Sequence, residues 1–247
     1  MSLPRPRAFP SVFHRSQSRQ SLMAEPKRVL KVVLETQDLT RAYGPVTALD
    51  GLDLVIRRGE CVAMMGPNGS GKTTAAELIS GLLEPTGGWA RVCGYSMHHE
   101  PEAVSARRQL AYVADAAHLY DDLTVADHLR LVAAAHGAAG EDLEQRSQAL
   151  LERLGLEARS QFFPSELSRG MRQKTAIACA LIRPYSLLVL DEPVVGLDAD
   201  SIDVLGHIIR QALRRRRAVL LMTHSDAFAA TVATRILYLE EGRLVDP

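Results

Sequence analysis

The nine residues GPNGSGKTT, positions 66–74, constrain this chain more than any other stretch. They fit the spacing G-x-x-x-x-G-K-[ST]: Gly66, then Pro67, Asn68, Gly69 and Ser70, then Gly71, Lys72 and Thr73, with Thr74 following. The apolar run of residues 61–65 leads in and reads as a buried strand. Behind it Ala75, Leu78, Ile79 and Leu82 recur at helical spacing and predict a helix with one buried stripe. Strand, glycine loop and helix start together make an anion site. Successive N–H groups face one concavity, and the helix N-terminus adds about half a positive charge. Glycine lets those N–H groups approach phosphate with no Cβ in the way. Lys72 then meets the outer phosphates, and the Thr73 hydroxyl is placed to ligate Mg²⁺. A chance match of the four fixed positions occurs in on the order of one chain in a hundred. The flanking strand and helix make chance rarer still.

Two further strand ends carry polar groups. Residues 187–190 are apolar and run straight into Asp191 and Glu192. Ligands of open α/β sheets bind at the carboxyl ends of strands. A carboxylate at position 191 can hold Mg²⁺ opposite Thr73, and Glu192 is then placed to accept a proton from attacking water. His224 follows the strand pattern of residues 218–222 and becomes a contact for the terminal phosphate or for water.

The order of elements predicts the fold class. Residues 29–43 and 46–56 read as strands joined at Gly44-Pro45, and Arg57-Arg58-Gly59-Glu60 reads as a second hairpin turn. Short strands follow at 89–93 and 110–114. Helices are expected over 124–136, with Thr124 as cap, over 143–154, and over 168–182, stopped before Pro184. A helix over 200–214 and a strand over 218–222 come next, and a hairpin around Glu241-Gly242 closes the pattern. Strands alternating with helices imply a mostly parallel sheet covered by helices. The helix-only block near 116–172 is expected to stand apart as a subdomain.

Composition excludes several classes. The 247 residues are 47% hydrophobic and 23% charged, with formal net charge zero, so no global basic field points to nucleic acid. Cys61, Cys93 and Cys179 are far apart, without metal or redox spacing. No apolar run reaches the ~18 residues of a membrane span. Residues 1–28 read as a disordered basic tail and residues 29–247 as the folded domain. Met23 is an alternative start, and on composition a transit peptide also fits the tail. The His98-His99 pair lacks partner ligands. The run Arg214-Arg215-Arg216-Arg217 reads as a solvated complement to a helix C-terminus.

From residue 34 onward the motifs resemble those of the ATP-binding cassette (ABC) ATPases. Tyr43 precedes the phosphate loop; LSRGMRQK (167–174), LLVLDEP (187–193), GLD (196–198) and Thr223-His224 follow it. The signature Leu167-Ser168-x-Gly170 just ahead of the Asp191 strand is the specific part, since many NTPases share the loop. The resemblance implies a P-loop (RecA-like) core, an N-terminal antiparallel β subdomain and an inserted α-helical subdomain. It implies ATP and Mg²⁺ as cofactors. Two cassettes, identical or paralogous, would close head to tail, each ATP covered by Ser168, Arg169 and Gly170 of the other. Tyr43 would stack on adenine and Asp198 would bridge the subunits. The chain would hydrolyse ATP on the cytoplasmic face of a membrane and drive a separate integral membrane permease, in the export direction. No nucleic-acid partner is expected. The alternative is a soluble ABC ATPase of DNA repair or translation, whose relatives usually carry two cassettes or long insertions not seen here.

This sequence departs from that pattern twice. Asp115 aligns with the glutamine that contacts metal and water; it is shorter by one methylene and adds a charge. It either reaches the metal through a water or serves as a coupling lever. Arg169 stands where glycine is common, either as a cation near the γ-phosphate or pointing to solvent.

Overall fold

Two kinds of strand sort the chain into two sheets. The computed structural model describes residues 32–137 and 141–245. The tail expected at 1–28 and the alternative start at Met23 lie outside the described residues.

β1 (Val32–Tyr43) and β2 (Val46–Arg57) alternate buried and exposed residues and pair antiparallel, with Tyr43 opposite Val46. β4 (Gly87–Val92) lies on the other side of β1 and β5 (Tyr95–Ser96) at the edge, giving the order β2-β1-β4-β5. The second sheet holds β3 (Cys61–Met65), β6 (Leu110–Val113), β7 (Leu187–Asp191), β8 (Ala218–Met222), β9 (Arg235–Glu240) and β10 (Arg243–Val245). Their order is β10-β9-β3-β8-β7-β6, all parallel except the closing β9–β10 hairpin.

Every residue of β3, β7 and β8 is buried. Strands covered on both faces need continuous apolar runs rather than alternation. Period-2 geometry then divides them: Cys61, Ala63 and Met65 join one core, while Val62 and Met64 join the other. This overturns the expected hairpin at residues 57–60. β2 does not pair with β3; the chain leaves one sheet there and enters the other. The reason is pattern: β2 is one-sided, whereas β3 is apolar on both faces and belongs at the centre of a covered parallel sheet.

The helices are α1 (Lys72–Ser80), α2 (Glu102–Gln109), α3 (Val125–Ala135), α4 (Glu141–Arg153), α5 (Arg169–Ile182), α6 (Ala199–Arg214) and α7 (Asp226–Val232). Side chains cap several of their N-termini. Thr124 and Asp127 form a capping box on α3, Ser168 Oγ accepts from Met171 N at 3.2 Å on α5, and Asp198 accepts from Ser201 N at 2.9 Å on α6. α3 and α4 pack on each other and on α5. The sequence reading missed α2 and α7. α2 is mostly polar and buries only Ala103 and Ala106 on its inner side, and α7 is barely two turns long.

Candidate nucleotide site

The phosphate loop is shaped from behind. Gly66 and Gly71 both have positive φ, and a Cβ on Gly66 would stand 2.1 Å from the Leu239 carbonyl oxygen. A Cβ on Gly71 would stand 2.4 Å from that of Ala48. Backbones of β9 and β2 therefore fill the space that side chains would need. This adds a second reason for glycine to the one read from sequence, since close approach to phosphate concerns the opposite side of the loop. Gly242 N donates to Ser70 O at 2.9 Å and ties the closing hairpin to the same loop.

Pro67, Asn68, Gly69 and Thr73 are exposed, whereas Ser70 and Lys72 are buried. Lys72 folds back over the loop, its Nζ donating to Gly66 O at 2.7 Å and Pro67 O at 3.0 Å. α1 begins after Gly71 with no side-chain cap, so its first N–H groups face outward for an anion.

Asp191 ends β7 with no exposed surface, and neither carboxylate oxygen makes a hydrogen bond. Burial, first of all, pushes its pKa up to about 6; Asp115 and Glu192 add to the rise, while the nearby Thr73 hydroxyl and Lys72 oppose it. The Thr73 hydroxyl thus lies close to the carboxylate without a well-formed hydrogen bond. A buried carboxylate with two unpartnered oxygens beside a hydroxyl suits a hard divalent cation.

Glu192 has a φ of 44°, a left-handed conformation that costs a non-glycine residue about 1–2 kcal/mol. Its Oε2 accepts from His224 Nδ1 at 2.9 Å. Adjacent strands β7 and β8 thereby present an acid and a histidine side by side.

Asp115 is exposed just beyond β6, which pairs with β7, and is near enough to Asp191 to raise its pKa. Buried Gln173, on α5, donates to Ala114 O at 3.4 Å and links the signature helix to this loop. The sequence reading passed over Gln173, although it lies within LSRGMRQK. It also passed over His128 on α3. Its Nε2 accepts from Tyr120 N and its Nδ1 donates to Thr124 O, both at 2.8 Å, which pins the loop after Asp115.

Other expected residues lie elsewhere. Tyr43 is 46% exposed at the β1–β2 turn, and the Arg41 guanidinium stacks 4.5 Å from the centroid of its ring. Ser168 and Arg169 are exposed, and the Arg169 stem lies over Gly196. Among the described residues no hydrogen bond or ion pair joins Ser168, Arg169 or Gly170 to the phosphate loop. Asp198 is exposed and holds its own helix: Oδ1 accepts from Ser201 N and from the Ser201 hydroxyl, and that hydroxyl, first, depresses the Asp198 pKa.

Residues 49–195 match the ABC transporter family profile. The chain belongs to the ABC transporter family. It is 32% identical over 212 residues to the ABC-type transporter ATP-binding protein EcsA of Bacillus subtilis, covering 86% of this chain and 85% of that one. It is 33% identical over 221 residues to the Nod factor export ATP-binding protein I of Cupriavidus pinatubonensis, covering 89% and 67%. The fold superposes on the dimeric structure of MJ0796, a bacterial ABC transporter cassette, with TM-score 0.78 and 26% identity over 86% of this chain and 97% of that one. This ABC chain is accordingly an ATP-binding subunit and an ATPase, as its motifs imply. No helix among the described residues is long and apolar enough to cross a membrane.

Proposed function

We propose that this ABC subunit hydrolyses ATP on the cytoplasmic face of a membrane to drive export through a separate integral permease. The observation that carries the hydrolytic part is the Glu192–His224 pair at 2.9 Å, just past the ends of β7 and β8, with β8 the neighbour of β3 and its loop. Loop N–H groups and Lys72 hold the phosphates. The Thr73 hydroxyl and Asp191, with Asp115 nearby, are the groups that would hold Mg²⁺, whose chemistry is to neutralise phosphate charge. Glu192 accepts a proton from water as the water oxygen bonds the γ-phosphorus and the bond to ADP breaks. His224 holds the Glu192 carboxylate in place. Tyr43 offers the free face of its ring to adenine.

Two cassettes, identical or paralogous, are needed. Ser168, Arg169 and Gly170 begin a helix whose free N–H groups suit a γ-phosphate on a second cassette, and Asp198 sits beside them at the same face. The dimeric cassette structure and the relative named for export support the pairing and the direction. The relatives give no support to a role in DNA repair or translation, and no nucleic-acid partner is proposed. For the permease, a groove of about 400 Å³ runs between the loop after Asp115 and helices α3 and α5. Tyr120 and Leu131 are exposed there and suit an inserted helix end.

Replacing Glu192 by Gln keeps the shape of the side chain and removes the base. The variant is expected to form an ATP-dependent dimer on size exclusion while turnover falls about 10²-fold or more. A monomer under ATP, with turnover near wild type, refutes the reading.

A further inference from the structure

Three helices end in one place. α4 closes at Arg153, α5 at Ile182 and α6 at Arg214, and around their ends lies a cleft of about 690 Å³. Arg146, Arg153, Arg183, Arg215 and Arg217 line it, and among the described residues no acidic one does. α5 runs 14 residues from its cap at Ser168, so the cleft lies about 21 Å along the helix from the signature. It is separate from the nucleotide site.

The arginines are positioned but not neutralised. Arg146 donates to the Ile182 carbonyl, Arg153 to Gln211 Oε1 at 2.6 Å, and Arg183 to the Arg107 carbonyl at 2.7 Å. The Arg217 guanidinium rests 4.2 Å from the centroid of the Tyr185 ring. A guanidinium has five donors, so most remain available, and the buried Nε of Arg183 has no partner. Among the described residues none of the five arginines takes part in an ion pair.

The simplest reading of basic residues at helix ends is that they complement the helix dipoles. Magnitudes decide against it as the whole account. Each C-terminus carries about half a negative charge, so three ends offset about one and a half positive charges of five. An excess of more than three is left on a chain whose formal net charge is zero. The crowding has effects: burial, then Arg215, lowers the Arg153 pKa, and burial pushes that of Arg183 down to about 10. Arg215 and Arg217 are thus more than a solvated run.

We propose that this cleft binds a ligand carrying two or more phosphate charges. Guanidinium forks match phosphate oxygens in pairs, and a singly charged anion would leave most of the excess in place. The volume lies within the ~300–1,000 Å³ typical of small-ligand sites. A soluble polyphosphate and a clustered anionic lipid headgroup share this chemistry, and the test separates them.

Inorganic tripolyphosphate is titrated calorimetrically into the full chain at low salt. Because the phosphate loop also attracts it, the titration is repeated on Lys72→Ala. One salt-sensitive site is expected to survive that substitution. Arg215→Glu, an exposed change at a side chain with no hydrogen bond among the described residues, is expected to weaken this site by at least about tenfold. Arg153→Gln is expected to weaken it too, and melting temperatures confirm that each variant folds. Flotation with phosphatidylglycerol vesicles, against phosphatidylcholine, forms the second arm. Vesicle binding abolished by Arg215→Glu assigns a headgroup, and tripolyphosphate binding alone assigns a soluble ligand. Loss of all binding in Lys72→Ala, binding indifferent to both arginine substitutions, or no binding in either arm overturns the proposal. A failure of the phosphate-loop reading would instead show as ATP affinity unchanged by Lys72→Ala.

Discussion

Gly170 packs so closely on Gly196 that a Cβ at position 170 would stand 2.4 Å from the Gly196 carbonyl oxygen. On the same stretch, the Arg169 stem approaches to 3.4 Å of where a Gly196 Cβ would stand. Two residues on from Gly196, Asp198 caps α6. The start of the signature helix and the segment leading to α6 are therefore one packed unit. A displacement at either is felt at the other, because backbone against backbone leaves no rotamer to absorb it.

Gly170→Ala tests that unit. The added methyl meets a carbonyl oxygen, and relief requires the helix start or residues 194–198 to move, at about 1–3 kcal/mol. ATP affinity of the single chain, set by residues 66–74, is expected to stay within about twofold, whereas turnover falls about tenfold or more. Nucleotide titration beside a steady-state phosphate assay reads both. Equal turnover would show that the close approach has no bearing on the paired state.

Asp115→Asn tests the first departure from the family pattern. Asp115 raises the Asp191 pKa through charge alone, and Asp191 stands beside Glu192. Removing one negative charge is expected to make Asp191 ionise more readily while weakening attraction for a divalent cation. The Mg²⁺ concentration giving half-maximal turnover should rise several-fold, with turnover at saturating Mg²⁺ nearly unchanged. An unshifted Mg²⁺ dependence means that position 115 does not act on the metal.

Much of the fold and site was legible because single residues carried unambiguous physics. The five buried residues of β3, the caps Thr124 and Ser168, and the strand-end positions of Glu192 and His224 each have one good structural solution. The turn at residues 57–60 was misread because Arg-Arg-Gly-Glu bends a chain equally well within a sheet or between sheets. Which it does depends on β9 and β8 taking both edges of β3, a pairing set more than 150 residues away. Gln173 and His128 were missed for a related reason. Each acts by reaching another element, and a side chain's distant partner leaves no local pattern.

The thiols give the pH prediction. Burial, with Glu60 adding, pushes the Cys61 pKa from 9.0 up to about 12, and burial pushes Cys179 up to about 12. The folded chain keeps these protons where the unfolded chain has released them. Between pH 9 and 12 the unfolded state binds fewer protons, so stability falls as pH rises. The contribution is complete below pH 9 and is lost as pH climbs through the folded values. Urea midpoints measured from pH 8 to 11 should therefore fall more steeply for the wild type than for a Cys61→Ala, Cys179→Ala chain, although the double variant starts lower through lost packing. Iodoacetamide at pH 8 should leave Cys61, which has no exposed surface, unmodified in the folded protein and label it in urea, as mass spectrometry of the peptides would show. Rapid labelling of Cys61 without denaturant would mean that β3 opens to solvent and that the floor of the phosphate loop is not held as described.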